Sequence, residues 1–118
     1  MSNPTGTNPK PEPAGLRGDL SLVDRLPASV PTPALVVDGA VVRRNIERMA
    51  RYAAQHGLSL RPHTKTHKSR MIAQLQIDAG AIGLTVAKAG EAALMQEVSQ
   101  DVMMAYPAVD PARCRQLA

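Results

Sequence analysis

The sequence predicts an α/β fold: an incomplete parallel (β/α) barrel of about three strand–helix units. Three observations carry this. Short apolar runs alternate with stretches of helical periodicity, the pattern of βαβ units laid into a parallel sheet. Capping residues and glycines stand at the points where the first two helices should begin and end. The chain is 118 residues long, enough for one core but well short of the about 250 that a closed barrel takes. It is therefore expected to stop part-way round such a barrel.

Residues 1–31 carry Pro4, Pro9, Pro11, Pro13, Pro27 and Pro31. Proline removes backbone donors and disfavours helix at the residue before it, so this leader is expected to be flexible and without chemistry. The barrel portion is expected over 32–118. Ala34–Val37 has strand character, and Asp38 follows as a helix cap. The first helix is expected over about 39–55, with Val42, Ile46, Met49 and Ala53 forming one buried stripe. Gly57 is the stop. A strand over Leu58–Lys65 comes next, then a helix capped by Ser69 that runs to about Ala79 and ends at Gly80. Ala81–Val86 is expected as a strand, Ala89–Ser99 as a helix, and Asp101–Tyr106 as a further strand. Pro111 opens a last helix.

Composition narrows the function classes. Hydrophobic residues make up 44% of the chain but aromatic ones only 2%, so the core must be aliphatic, with Met103 and Met104 expected inside it. The net charge is +4 and the isoelectric point is near 9.7. The basic residues form no long run, and stacking aromatics are almost absent, which argues against nucleic acid as a partner. One cysteine, Cys114, excludes an internal disulfide and a cysteine-based zinc site. The N-terminus has no secretory apolar region, and no stretch reaches the about 20 apolar residues that cross a bilayer. A soluble, cytoplasmic protein without a membrane partner is expected.

The chemistry is expected at Leu58–Ser69. Alternation along a strand puts Leu58, Leu60, Pro62 and Thr64 on one face and Ser59, Arg61, His63 and Lys65 on the other. The second face is too polar for a purely structural barrel interior. Lys65 stands at the C-terminal end of that strand, where parallel α/β folds place their reactive groups. An amine there suits imine formation with an aldehyde. It must be neutral to attack, whereas an ordinary lysine titrates near ~10.4. Positive neighbours favour the neutral form, and Arg61 and Lys68 are the candidates to supply that charge. Lys68 is the rival imine former. His63 and His67 are four apart, but Pro62 argues against the helix that a metal pair would need. His56, at a helix end, reads as a charge favourable to the helix dipole. Lys88, Gly90 and Glu91 read as an ordinary strand-to-helix turn, with lining of the same barrel mouth as the alternative, Tyr106 as a residue facing a cofactor, and Cys114 as inert.

Arg61-Pro62-His63-Thr64-Lys65-Thr66-His67-Lys68 resembles the R-P-H-x-K-T-H-K signature of the D-threonine aldolase and D-serine dehydratase family. Thr32–Asp38, Arg44-Asn45-Ile46 and Gly83–Ala92 agree with it in order and spacing, so the resemblance covers residues 32–118. It implies a barrel of the alanine racemase N-terminal type (fold type III) and pyridoxal phosphate held as an imine through Lys65; His63, which shares the Lys65 face, and Tyr106, at the end of the third strand, are read from their positions as further cofactor contacts. It implies a lyase acting on β-hydroxy D-amino acids, homodimeric at full length. It also implies a divalent metal whose ligands lie outside this chain, so no metal-binding residue is expected here. Two other readings stay open: a non-catalytic pyridoxal-phosphate carrier built on the same barrel, and an inactive truncated fragment that aggregates through its open sheet edge.

Overall fold

The structure, a computed structural model, describes residues 25–118. The chain divides into two units, 1–36 and 37–118. The expected flexible leader falls mainly on residues 1–24, outside the described residues. Within the first unit, the Pro27 carbonyl accepts from the Val30 N–H at 3.0 Å, closing a turn, and the Thr32–Pro33 peptide is cis.

The expected strand over Ala34–Val37 does not form. These residues make no ladder bonds among the described residues, and Leu35 is 89% exposed. Strand character in a sequence becomes a strand only when a neighbour takes up the backbone donors and acceptors.

The second unit runs α1 (Gly39–Gln55), α2 (Arg70–Asp78), β1 (Leu84–Val86), α3 (Ala89–Met95), β2 (Val102–Met104) and α4 (Pro111–Leu117). α1, α2 and α4 start at a side-chain cap, whereas Lys88 before α3 makes no side-chain cap bond. Asp38 Oδ1 accepts from Ala40 N–H at 2.8 Å and Val41 N–H at 3.1 Å, Ser69 Oγ accepts from Ile72 N–H, and Asp110 Oδ1 accepts from Arg113 N–H. α1 and α2 are followed by Gly57 and Gly80 at φ of 62° and 99°, the left-handed region that glycine enters at little cost. At the end of α1, His56 Nδ1 donates to the Tyr52 carbonyl at 2.8 Å, so the ring caps an orphan acceptor.

β1 and β2 pair in parallel, Leu84 with Val102 and Val86 with Met104. The 58–65 segment was expected to be a full strand and is less than that. Thr85 N–H donates to the Pro62 carbonyl at 2.8 Å, and Thr64 N–H to the Thr85 carbonyl at 2.9 Å, which makes one parallel bridge, His63 with Thr85. In a regular ladder the N–H of residue 62 would donate to the carbonyl of residue 83. Pro62 has no N–H, so the ladder is interrupted at that point, and the segments are joined again where the Ile82 N–H donates to the Leu60 carbonyl at 2.9 Å. The other strands are also shorter than expected, and α3 ends at Met95.

The core lies on one side of the sheet. Ala73 from α2 and Ala92 and Met95 from α3 pack on Leu84 and Val86, and Leu84, Val86 and Met95 are fully buried. Two expectations about the core change. Met103 is 48% exposed, because alternation turns it away from the face that carries Val102 and Met104. Met49, at 55% exposure, borders a small cavity of about 50 Å³ between α1, α2 and Leu60, so the α1 stripe is buried at Ala53 and only half-buried at Val42 and Ile46.

Candidate functional site

Register decides which side chains share the face opposite the helices. Paired residues in a parallel sheet project to the same side. His63, Thr85 and Met103 therefore form one row, and toward the N-terminal ends of the strands Arg61 and Asp101 meet over Gly83. The expected grouping of Arg61 with His63 on a polar face agrees with this register. Lys65 follows in the turn 65–67, just past the last ladder bond at Thr64, so it stands at the C-terminal edge of the sheet and not within a strand.

That turn is well anchored. Thr64 is fully buried, and both its N–H and its Oγ1 donate to the Thr85 carbonyl. The Thr64 carbonyl in turn accepts from His67 N–H at 3.2 Å and Lys68 N–H at 2.8 Å. His63 Nδ1 accepts from the Lys65 N–H at 3.2 Å, which places the neutral ring's proton on Nε2 and seats the imidazole against the Lys65 backbone. The structure thus brings His63 and Lys65 together. The Lys65 side chain is exposed and pairs with no carboxylate among the described residues.

Arg61 and Lys68, expected to bring positive charge to Lys65, are both engaged elsewhere. Arg61 Nη1 and Nη2 donate to Asp101 Oδ1 and Oδ2, each at 2.6 Å, in a forked pair at the N-terminal end of β2. The Asp101 hydrogen bond raises the Arg61 pKa above its ordinary value, and the same bond lowers that of the Asp101 carboxyl. Lys68 Nζ lies 3.3 Å from Glu91 Oε1. A nearby carboxylate cancels the field of each cation, so neither acts as a free positive charge at Lys65.

Tyr106 lines a cavity on the other side of β1 from the His63 segment. It lies two residues beyond β2 and is 59% exposed, and it shares that cavity, of about 480 Å³, with Lys88, Gly90, Met104 and Arg113. β1 separates it from the His63 segment, and two strand spacings are about 10 Å. Lys88 and Gly90, read from sequence as an ordinary turn, line this second cavity.

Sequence reasoning missed Glu91 and Gly83. Glu91 is only 8% exposed; its Oε2 accepts from the Ala87 N–H at 2.9 Å while Oε1 meets Lys68. The Ala87 hydrogen bond, with Lys68 adding to it, holds its carboxyl below the ordinary value. A carboxylate in the first turn of a helix is usually solvated, and nothing in the local sequence signals this burial. Gly83 packs beneath the Arg61–Asp101 pair, where a Cβ would lie 2.5 Å from the Asp101 carbonyl oxygen and 2.9 Å from its Cγ.

No protein-family model matches the chain. It is 38% identical over 87 residues to a D-threonine aldolase of Arthrobacter sp, covering 73% of this chain and 23% of that protein. It is 34% identical over 93 residues to the 3-hydroxy-D-aspartate aldolase of Paracoccus denitrificans, covering 77% and 24%. The fold superposes on the crystal structure of D-threonine aldolase from Filomicrobium marinum with a TM-score of 0.69 and 35% identity, over 75% of this chain and 24% of that one. The chain thus spans about a quarter of the length of the proteins it matches. By sequence and by fold it is a homologue of the N-terminal part of the D-threonine aldolases, hydroxyaspartate aldolases and dehydratases, and D-serine dehydratases.

Proposed function

We propose that this chain is the N-terminal part of a pyridoxal-phosphate-dependent lyase acting on β-hydroxy D-amino acids, and that Lys65 carries the cofactor. The observation that supports this most directly is the contrast between two lysines in one turn. Lys65 stands at the C-terminal edge with no carboxylate partner among the described residues and with His63 against its backbone, while Lys68 is paired with Glu91. An amine without a carboxylate partner, on a hydrogen-bonded turn at the reactive end of a parallel sheet, suits covalent capture of an aldehyde.

In this reading the sheet continues into a barrel with the Arg61–His63 face turned inward. The full-length protein is a cytoplasmic homodimer without a nucleic-acid partner, and it draws a divalent metal from residues beyond this chain. Pyridoxal phosphate, when bound, supplies an electron sink for negative charge developing at the substrate α-carbon. Lys65 is the residue that would hold the cofactor, through its Nζ, and the same Nζ would be the group to take up the α-proton in a dehydratase. His63, seated against the Lys65 backbone with its neutral-ring proton on Nε2, would be a hydrogen-bond donor near the cofactor. Tyr106 faces the neighbouring cavity and acts on the same edge of the sheet from β2.

The test is reductive trapping. The chain is mixed with pyridoxal phosphate, reduced with borohydride and mapped by peptide mass. Label is expected on Lys65, lost in Lys65→Ala and retained in Lys68→Ala. Label concentrated on Lys68, or spread evenly over the lysines, would overturn the assignment. In the longer protein, release of an aldehyde from D-threonine or of pyruvate from D-serine separates the aldolase from the dehydratase. Absence of both favours the carrier.

A further inference from the structure

Two primary amines, Lys65 and Lys68, share one turn, and both are exposed on it. A free aldehyde would meet either. We propose that Glu91 is a positioning residue that holds Lys68 as an ion pair, leaving Lys65 as the free amine of the turn. This goes one step beyond the lyase reading and draws its biological meaning from it, since selectivity between the two lysines matters only if an aldehyde is captured there.

The geometry of Glu91 makes it a fixed anchor and not a passing surface charge. It is 8% exposed, and its Oε2 is already committed to the Ala87 N–H at 2.9 Å, directly after β1. Oε1 is left to face the 64–69 turn and meets Lys68 Nζ at 3.3 Å. Lys68 itself sits at φ 48°, a left-handed conformation that costs a non-glycine residue free energy. Its N–H donates to the Thr64 carbonyl at 2.8 Å, so both backbone and side chain are held. An amine donating to a carboxylate as an ammonium has no lone pair to offer an electrophile. The same pair stitches the turn bearing Lys65 to the start of α3, so Glu91 also sets where that turn stands relative to β1.

The experiment reads amine reactivity without any cofactor. The chain at pH 8 is treated with trace acetic anhydride, which acylates a neutral amine and releases acetate. Acetylation of Lys65 and Lys68 is then measured against Lys88 by peptide mapping. In Glu91→Gln, Lys68 acetylation should rise about threefold or more, as expected on loss of a half-exposed ion pair, while Lys65 stays the same. The far-UV circular dichroism spectrum shows whether the variant is folded. A salt series on the unmutated chain is the second measurement, since 1 M NaCl should raise Lys68 reactivity in the same direction by screening the pair. If Lys68 responds neither to the folded variant nor to salt, the proposal fails. If Glu91→Gln does not fold, the salt series alone decides. Trapping with pyridoxal phosphate and borohydride in parallel keeps the two readings apart. A wild-type chain with no preference for Lys65 sinks the lyase assignment, and the acetylation result still decides the role of Glu91.

Discussion

Replacing Gly83 by alanine tests how the N-terminal end of the sheet is built. The added Cβ would lie 2.5 Å from the Asp101 carbonyl oxygen, 2.9 Å from the Asp101 Cγ, and against the Arg61 guanidinium. The guanidinium is the end of a flexible side chain and can move. The carbonyl oxygen cannot move freely, because it accepts the Leu84 N–H at 2.9 Å, the bond that opens the β1–β2 ladder, and also Arg61 Nη1 at 3.2 Å. Relief needs a backbone shift of about 0.5–1 Å to reach ordinary contact. Overpacking of this kind costs about 1–3 kcal/mol, and weakening one backbone hydrogen bond adds about 1 kcal/mol. A loss of about 2–4 kcal/mol is therefore expected, read as a urea midpoint lowered by roughly 1–2 M for a slope near 2 kcal/mol/M. The double variant Gly83→Ala/Arg61→Ala separates the causes. It should not recover stability, since the main obstacle is the carbonyl oxygen. A Gly83→Ala chain as stable as wild type, or one rescued by removing Arg61, would refute this account of the packing.

Further outcomes follow from the core and from the buried polar groups. Met95→Ala removes a fully buried side chain from the cluster between α3 and β1, and a loss of about 2–5 kcal/mol is expected in urea denaturation. Burial is the main cause lowering the His67 pKa from 6.5. Its contribution to stability is then present above that value and is lost as the pH falls through the depressed folded pKa, because the unfolded chain takes the proton first. The melting temperature should drop between pH 8 and pH 5.5, and by a smaller amount in His67→Gln; equal drops in both chains would exclude His67 as the cause. The labelling of Lys65 and the response of Lys68 to Glu91→Gln complete the set.

His67 also carries a hydrogen-bonding question within the turn. Its Nδ1 accepts from the Ser69 N–H at 3.0 Å, so in the neutral ring Nε2 bears the proton. Nε2 and the Gln76 Oε1 are both buried without a bond of good geometry. They are complementary, a donor and an acceptor, and a small rotation of either side chain would pair them. Such a pair would tie the turn to α2, just as Glu91 ties it to α3.

Helix starts were legible where a local signal marks them, because a cap is a local contract between one side chain and the next few N–H groups: Asp38 and Ser69 cap α1 and α2, and Pro111 opens α4, as the residues alone put them. The same alternation placed Arg61 and His63 on one face, since two-residue periodicity is a property of the extended chain itself. Strand lengths were not legible in this way. Ala34–Val37 forms no ladder, and Pro62 interrupts the pairing beside Gly83, because a strand depends on which neighbour arrives and which donors it brings. Charge partners were hidden for the same reason. Arg61 meets Asp101 forty residues along the chain, and Lys68 meets Glu91 across a strand and a helix. Lys65 was marked by its own segment; only tertiary packing decided that both of its cationic neighbours would be neutralised, because an ion pair forms where folding brings two distant side chains together.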